Sequence, residues 1–236
     1  MTRKIPTLLL LISGLTGPYL FATPCGSPSV MTLNELISAG GCTLGDLSFS
    51  SFGFISVQGS PVVGPANISV NIAMQSPLPG LNFNSTPLVF APSMPIEVEI
   101  AFTAASAATS VLTELYVTPG SGLTGGVARA PVISFACAGG PAAISSDGSV
   151  SCPTGPLLST SSSFQMTSHI ELTDFASVGV VNDILIEPTG ASFGELTNLM
   201  DQFQESTSIP EPSPFIVMTL VGLSAVCASL TKKSRN

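Results

Sequence analysis

The segment Ile96-Glu97-Val98-Glu99-Ile100 alternates apolar and polar residues, and small Ala101 before Phe102 keeps the period. A period of two puts Ile96, Val98, Ile100 and Phe102 on one face of an extended chain, and Glu97 and Glu99 on the other. The spacing predicts a half-buried strand with both acids facing solvent. Ile68, Val70 and Ile72 repeat the pattern. So does Leu47-Ser48-Phe49-Ser50-Ser51-Phe52-Gly53-Phe54, with one slip near Ser51 that predicts a bulge. Residues 111–117, 132–135, 164–172 and 178–187 are further strand candidates, and turns rich in Pro and Gly separate them. No βαβ rhythm and no repeat of fixed period interrupts this series. The fold class expected is all-β: an antiparallel β-sandwich or jelly-roll-like body.

Two short helices are expected to flank the strands. Leu33, Leu36 and Ile37 have helical spacing, Thr32 and Glu35 form a capping-box pair, and Gly40-Gly41 ends the turn. Gly194-Glu-Leu-Thr-Asn-Leu-Met-Asp-Gln-Phe203 reads as a terminal helix, and residues 204–208 as a polar linker after it.

Charge divides the chain into parts. Only 8% of its 236 residues are charged, against roughly 25% in ordinary soluble domains. The six basic residues are Arg3, Lys4, Arg129, Lys232, Lys233 and Arg235, and five of them lie at the two ends. Residues 23–209 hold thirteen acids and one arginine, a net charge of −12. Such a body repels nucleic acid, whose phosphates need Lys and Arg, and it avoids anionic lipid surfaces.

Each basic end adjoins an apolar stretch. Arg3 and Lys4 precede an unbroken run, Leu8-Leu-Leu-Leu-Ile12, and small residues follow at Ala22 and Thr23. That is the order of a secretory signal peptide, with cleavage expected after Ala22. Near the other end, residues 215–230 carry no charge, and Lys232, Lys233 and Arg235 follow as a basic stop. With its flanks the stretch approaches the ~20 residues of a membrane-spanning helix. The basic residues place both ends of the precursor on the cytoplasmic side and the acidic body outside. The division expected is a signal peptide at 1–22, a β-sandwich ectodomain at 23–203, a linker at 204–208 and a tail at 209–236.

Ile209-Pro210-Glu211-Pro212-Ser213 stands immediately before the apolar stretch. Motif, span and basic end in that order resemble the PEP-CTERM sorting signal of exported bacterial proteins. The likeness covers residues 209–236. It departs from the family in the polar Thr219, Ser224, Cys227 and Ser229 of the span, and in an end that reads Lys-Lys-Ser-Arg rather than an arginine run. The resemblance implies that an exosortase-type membrane protease recognises Pro210, Glu211 and Pro212 and removes the tail, as a GPI signal loses its own. The partners implied are that protease, signal peptidase and the Sec machinery, with extracellular polysaccharide as the partner its destination offers. The membrane holds the precursor alone; the mature form belongs at the cell surface or in the matrix. Residues from Cys25 through Gly41-Cys42-Thr43-Leu44-Gly45-Asp46 to Phe49 resemble a recurring uncharacterised type of PEP-CTERM protein, which implies no activity.

Four of the five cysteines fall in the exported body: Cys25, Cys42, Cys137 and Cys152. An even count in an oxidising compartment predicts disulfides. Three pairings are open, and proximity favours Cys25 with Cys42 and Cys137 with Cys152. No C-x-x-C spacing is present, so zinc is not expected.

Catalytic signals are sparse, and no enzyme, cofactor or metal is expected. Gly190-Ala191-Ser192-Phe193-Gly194 matches the G-x-S-x-G elbow, but no histidine follows Ser192. His169 is the sole histidine and sits in a strand pattern. Glu97 and Glu99 lie two apart on one strand face, without the Trp platforms of sugar-cleaving sites. Ser145-Ser146-Asp147-Gly148-Ser149 is a turn that could offer Asp147 to Ca²⁺, but it lacks the repeated acids of a Ca²⁺ loop. Asn67-Ile68-Ser69 and Asn84-Ser85-Thr86 have the form of glycosylation sequons, usually silent in a bacterium. The expectation is a non-enzymatic surface or exopolysaccharide-associated structural protein. The alternatives are a carbohydrate- or Ca²⁺-binding module on the same scaffold and, third, a secreted hydrolase.

Overall fold

A computed structural model describes residues 23–25, 30–59, 64–75, 78–91, 95–107, 109–120, 131–162, 166–187 and 194–207. The signal segment, Ser192, the Pro210-Glu211-Pro212 motif, the apolar tail and the basic stop Lys232, Lys233 and Arg235 lie outside these residues. Among the described residues no helix is long and apolar enough to cross a membrane.

The strands are β1 (Met31–Thr32), β2 (Gly41–Leu44), β3 (Leu47–Gln58), β4 (Ser69–Gln75), β5 (Leu78–Ala91), β6 (Ile96–Ser106) and β7 (Ser110–Pro119). They continue as β8 (Val132–Ala138), β9 (Ala143–Ile144), β10 (Val150–Ser151), β11 (Leu157–Ser162), β12 (Ser168–Phe175), β13 (Ser177–Ile186) and β14 (Gly194–Thr207). One helix, α1 (Leu33–Ala39), joins β1 to β2. The first sheet runs β1-β4-β5-β14-β7-β12 and the second β11-β8-β13-β6-β3-β2; β9 and β10 pair on their own.

Every ladder between strands of these sheets is antiparallel. The chain crosses between the sheets repeatedly, as from β6 to β7 and from β13 to β14. Inward residues of both sheets form one core. At its centre Phe102 of β6 stands 5.8 Å from Phe83 and 6.2 Å from Phe203, rings of the opposite sheet. This is the sandwich that the alternation predicts.

Local signals explain α1 and the bulge in β3. The Thr32 hydroxyl accepts from the Glu35 amide and the Glu35 carboxylate accepts from the Thr32 amide, while Gly40 ends the helix at φ 79°. In β3 the register shifts between Ser50 and Gly53, where Ser51 adopts φ 54°.

Three expectations are corrected. Residues 194–203 form no helix: Gly194–Thr207 is strand β14, paired with β5 on one side and β7 on the other. One flanking helix is therefore present among the described residues, not two. Residues 204–207 of the expected linker continue that strand, opposite Glu114 to Ser110 of β7. Glu99 lies on the outer face of β6 but is 1% exposed, because the β9–β10 hairpin covers it. Glu97 keeps partial exposure.

Two disulfides join Cys25 to Cys42 and Cys137 to Cys152, as proximity predicts. The first ties the segment before α1 to edge strand β2. The second closes residues 137–152, most of the connection between β8 and β11 that carries β9 and β10.

Candidate functional site

The outer face of the first sheet carries an open cleft of about 450 Å³. Val70, Leu81 and Phe83 point into the core, so Ser69, Asn71 and Asn84 between them point outward. Register sets these side chains together: Ser69 lies opposite Asn84, Asn71 opposite Asn82, and Asn198 of β14 opposite Asn84. Asn67, in the short 3-10 turn before β4, extends the wall, and Val30 adds one apolar patch. Both sequon asparagines, Asn67 and Asn84, thus reach one cleft.

Among the described residues, four asparagines, two serines, a threonine and a valine make up this lining. Each amide both donates and accepts, and each hydroxyl can do either. None of these groups titrates near neutral pH, so they provide no general acid or base. The chemistry available is hydrogen bonding to a neutral polar surface.

Further along the same sheet, Tyr116 of β7 stacks on His169 of β12, ring centroids 5.9 Å apart. The Tyr116 hydroxyl donates to Glu114 and lies 3.5 Å from Gln204 Oε1. The bond to Glu114, helped by burial, holds the phenol above its ordinary pKa. His169 is exposed, and its ring packs on a tyrosine. From Asn198 to Gln204 along β14 is six residues, roughly 20 Å at 3.3 Å per residue.

The second sheet gathers acids on its outer face. Glu99 of β6 pairs with Asp183 of β13 across the ladder. Both Glu99 carboxyl oxygens and Asp183 Oδ1 are buried without a hydrogen-bond partner among the described residues. Burial first, then the charges of Asp183, Glu97 and Asp147, push the Glu99 pKa from 4.5 to about 7. Burial and Glu97 push Asp183 from 3.8 to about 6. Asp147 moves the other way: its Oδ1 accepts from the Ser149 hydroxyl at 2.8 Å and the Ser149 amide at 3.1 Å, which lowers its pKa. Among the described residues no group of three or more His, Cys, Asp or Glu could hold a metal ion.

Sequence reasoning found Glu97 and Glu99 as a pair, Asp147 in its turn, the cysteines in two pairs, and Asn67 and Asn84 only as separate sequons. It missed the cleft, whose walls come from segments 67–71, 84–85 and 197–198. The signal available was the set of outward asparagines at Asn71, Asn82 and Asn84, where a sandwich surface usually alternates charged residues.

No family model matches the chain, and no curated protein matches it. Among solved structures, the carbohydrate-binding module TmCBM61 in complex with beta-1,4-galactotriose aligns with 67% of this chain and 90% of its own, at 9% identity and a TM-score of 0.34. A likeness of that size carries no argument about ligand.

Proposed function

We propose that this is an exported, extracellular, non-enzymatic β-sandwich protein whose first sheet binds neutral polysaccharide on its outer face. The uncharged, amide-lined cleft carries the reading. Sugar hydroxyls need paired donors and acceptors, which asparagine supplies, and a neutral lining gives no advantage to phosphate or carboxylate ligands. The body's net charge of −12 also disfavours acidic polymers. Tyr116 supplies an aromatic edge on the same sheet, but among the described residues no aromatic side chain lines the cleft, so the site binds weakly.

Location belongs to the same proposal. The two disulfides suit an oxidising compartment. The signal segment and the Pro210-Glu211-Pro212 tail give the route, with an exosortase-type protease and the Sec machinery as processing partners. The intact mass of the exported protein should then lack Lys232 and Arg235; finding both in the mature chain would sink the sorting proposal.

Calorimetry against a panel of neutral and acidic polysaccharides tests the binding. The expected result is weak binding to a neutral glycan, reduced roughly tenfold in an Asn71→Ala, Asn84→Ala double variant through two lost hydrogen bonds. Binding that the double variant leaves unchanged, or binding of acidic polymers alone, overturns it.

A further inference from the structure

Residues 139–156 form a flap against the outer face of the second sheet. Their base is fixed: Cys137 in β8 is bonded to Cys152 just after β10. Their path crosses β13, where a Cβ on Gly179 would stand 2.3 Å from the Ala142 nitrogen. Their tip, residues 145–149, rests over β6 and β3. A Cβ on Gly148 would stand 2.9 Å from Val57 Cγ1 and 3.4 Å from Glu99 Oε1. The tip is held by its own turn bonds, Gly148 N to Ser145 O and Ser145 N to Ser149 O, both 3.0 Å.

The flap tip lies on an acid that nothing among the described residues satisfies. Glu99 is 1% exposed and neither oxygen has a hydrogen-bond partner among the described residues. Among the described residues the charged groups facing it are all acids: Glu97 on its own strand, Asp183 on β13 and Asp147 on the flap. Strand β3, on its other side, contributes Ile55 opposite Glu99 and the apolar Val57. No Lys or Arg occurs among the described residues to neutralise the group. A buried carboxylate among like charges is tolerated only as the neutral acid or with water admitted.

We propose that the β9–β10 flap is a proton-operated latch, closed over neutral Glu99 and lifted from it when Glu99 ionises, with the Cys137–Cys152 disulfide as its fixed hinge. Closing takes up a proton, because the covered acid holds its proton more tightly than the hydrated one. The closed fraction is therefore full below the ordinary carboxyl range. It falls as pH rises toward about 7, the value to which burial and the three acids raise Glu99. The steepest change is about tenfold in the closed-to-open ratio per pH unit. Lifting the tip uncovers Ile55, Val57 and the acids, so the second sheet presents a different surface in neutral and acidic media. The cleft lies on the opposite sheet, so the latch stands apart from glycan binding.

Hydrogen exchange of the disulfide-intact protein, normalised for the intrinsic pH dependence of exchange, tests this at about pH 5 and about pH 8. Protection across residues 141–152 should fall at least tenfold at the higher pH while β7 keeps its own. A Glu99→Gln variant should lose that difference. An Asp147→Asn variant, which removes one facing charge from an exposed turn, should make it smaller. Equal protection at both pH values in the parent overturns the latch, as does a full pH effect surviving in both variants. CaCl₂ should not restore protection at about pH 8. If it does so in the parent and fails in Glu99→Gln, the site takes a divalent cation instead and the proton mechanism is wrong.

Discussion

Asp201 is an acid shut away from bulk solvent. It is fully buried, on the inner face of β14. The Ser134 hydroxyl donates to Asn182 Oδ1 at 2.6 Å, and Asn182 Nδ2 donates to Asp201 Oδ2 at 2.6 Å, so a polar bridge crosses the core from the second sheet to the first. Asp201 Oδ1 has no hydrogen-bond partner among the described residues. Burial raises its pKa from 3.8 to about 7, against the opposing pull of the Asn182 bond. The sign follows directly. Between those two values the folded chain keeps a proton that the unfolded chain releases, so stability falls as pH rises through that window and is level on either side. In the parent protein the melting temperature should fall from about pH 5 to about pH 8, and Asp201→Asn should shrink that fall, since an amide cannot titrate. Glu99 and Asp183 supply the remainder. An undiminished pH dependence in Asp201→Asn, measured by calorimetry, would remove Asp201 from the account.

At the scale of elements, β14 shows how a local pattern can mislead. Leu196, Leu199, Met200 and Phe203 stand at helical spacing, and residue periodicity alone favours a helix. Two features produce that spacing in a strand. A bulge between Leu196 and Asn198 shifts the phase of alternation by one. The inward position between Leu199 and Phe203 is then filled by Asp201, a polar residue that hides the period of two. Flanking β5 and β7 decide the outcome, because a central strand satisfies its whole backbone on both sides. Strand β5 escaped notice for a related reason: Pro79, Gly80 and Pro87 lie within it, and each argues against a strand in isolation. Segments whose signals are local were legible, as in the Thr32–Glu35 cap and the slip at Ser51. The acids were legible as an outward face, but nothing near Glu99 in sequence announces that residues 139–156 fold over it. The assignment of β14 has a direct test. Phe203 is fully buried and stands 6.0 Å from Phe49 and 6.2 Å from Phe102. Phe203→Ala should cost about 3–5 kcal/mol in urea unfolding, the range for a core aromatic. A terminal surface helix would lose far less, so a cost under about 1 kcal/mol contradicts a central β14.

For the whole molecule, the two disulfides brace opposite margins of one sheet. In the order β11-β8-β13-β6-β3-β2, Cys137 lies on β8 beside the β11 edge and Cys42 on the β2 edge. Four strand spacings separate them, roughly 19 Å at 4.8 Å each. Each bridge spans a short stretch of chain, 17 and 15 residues, and each is worth about 3 kcal/mol in the chain-entropy model. Sites that far apart with no shared partner should act independently. Cys25→Ser with Cys42→Ser, and Cys137→Ser with Cys152→Ser, should therefore each lower unfolding free energy by about 3 kcal/mol. The variant lacking all four should lose about 6 kcal/mol. A loss in that variant well below the sum would mean that the margins are coupled through the sheet and the bridges are not independent braces. The size matters for where this chain can work. Domains of this kind hold about 5–15 kcal/mol in total, and here two buried acids already draw on that margin as pH rises toward 7. At the low end of that range, loss of both bridges would leave little stability at neutral pH, which fits the oxidising compartment toward which its signal segment and sorting motif are proposed to direct it.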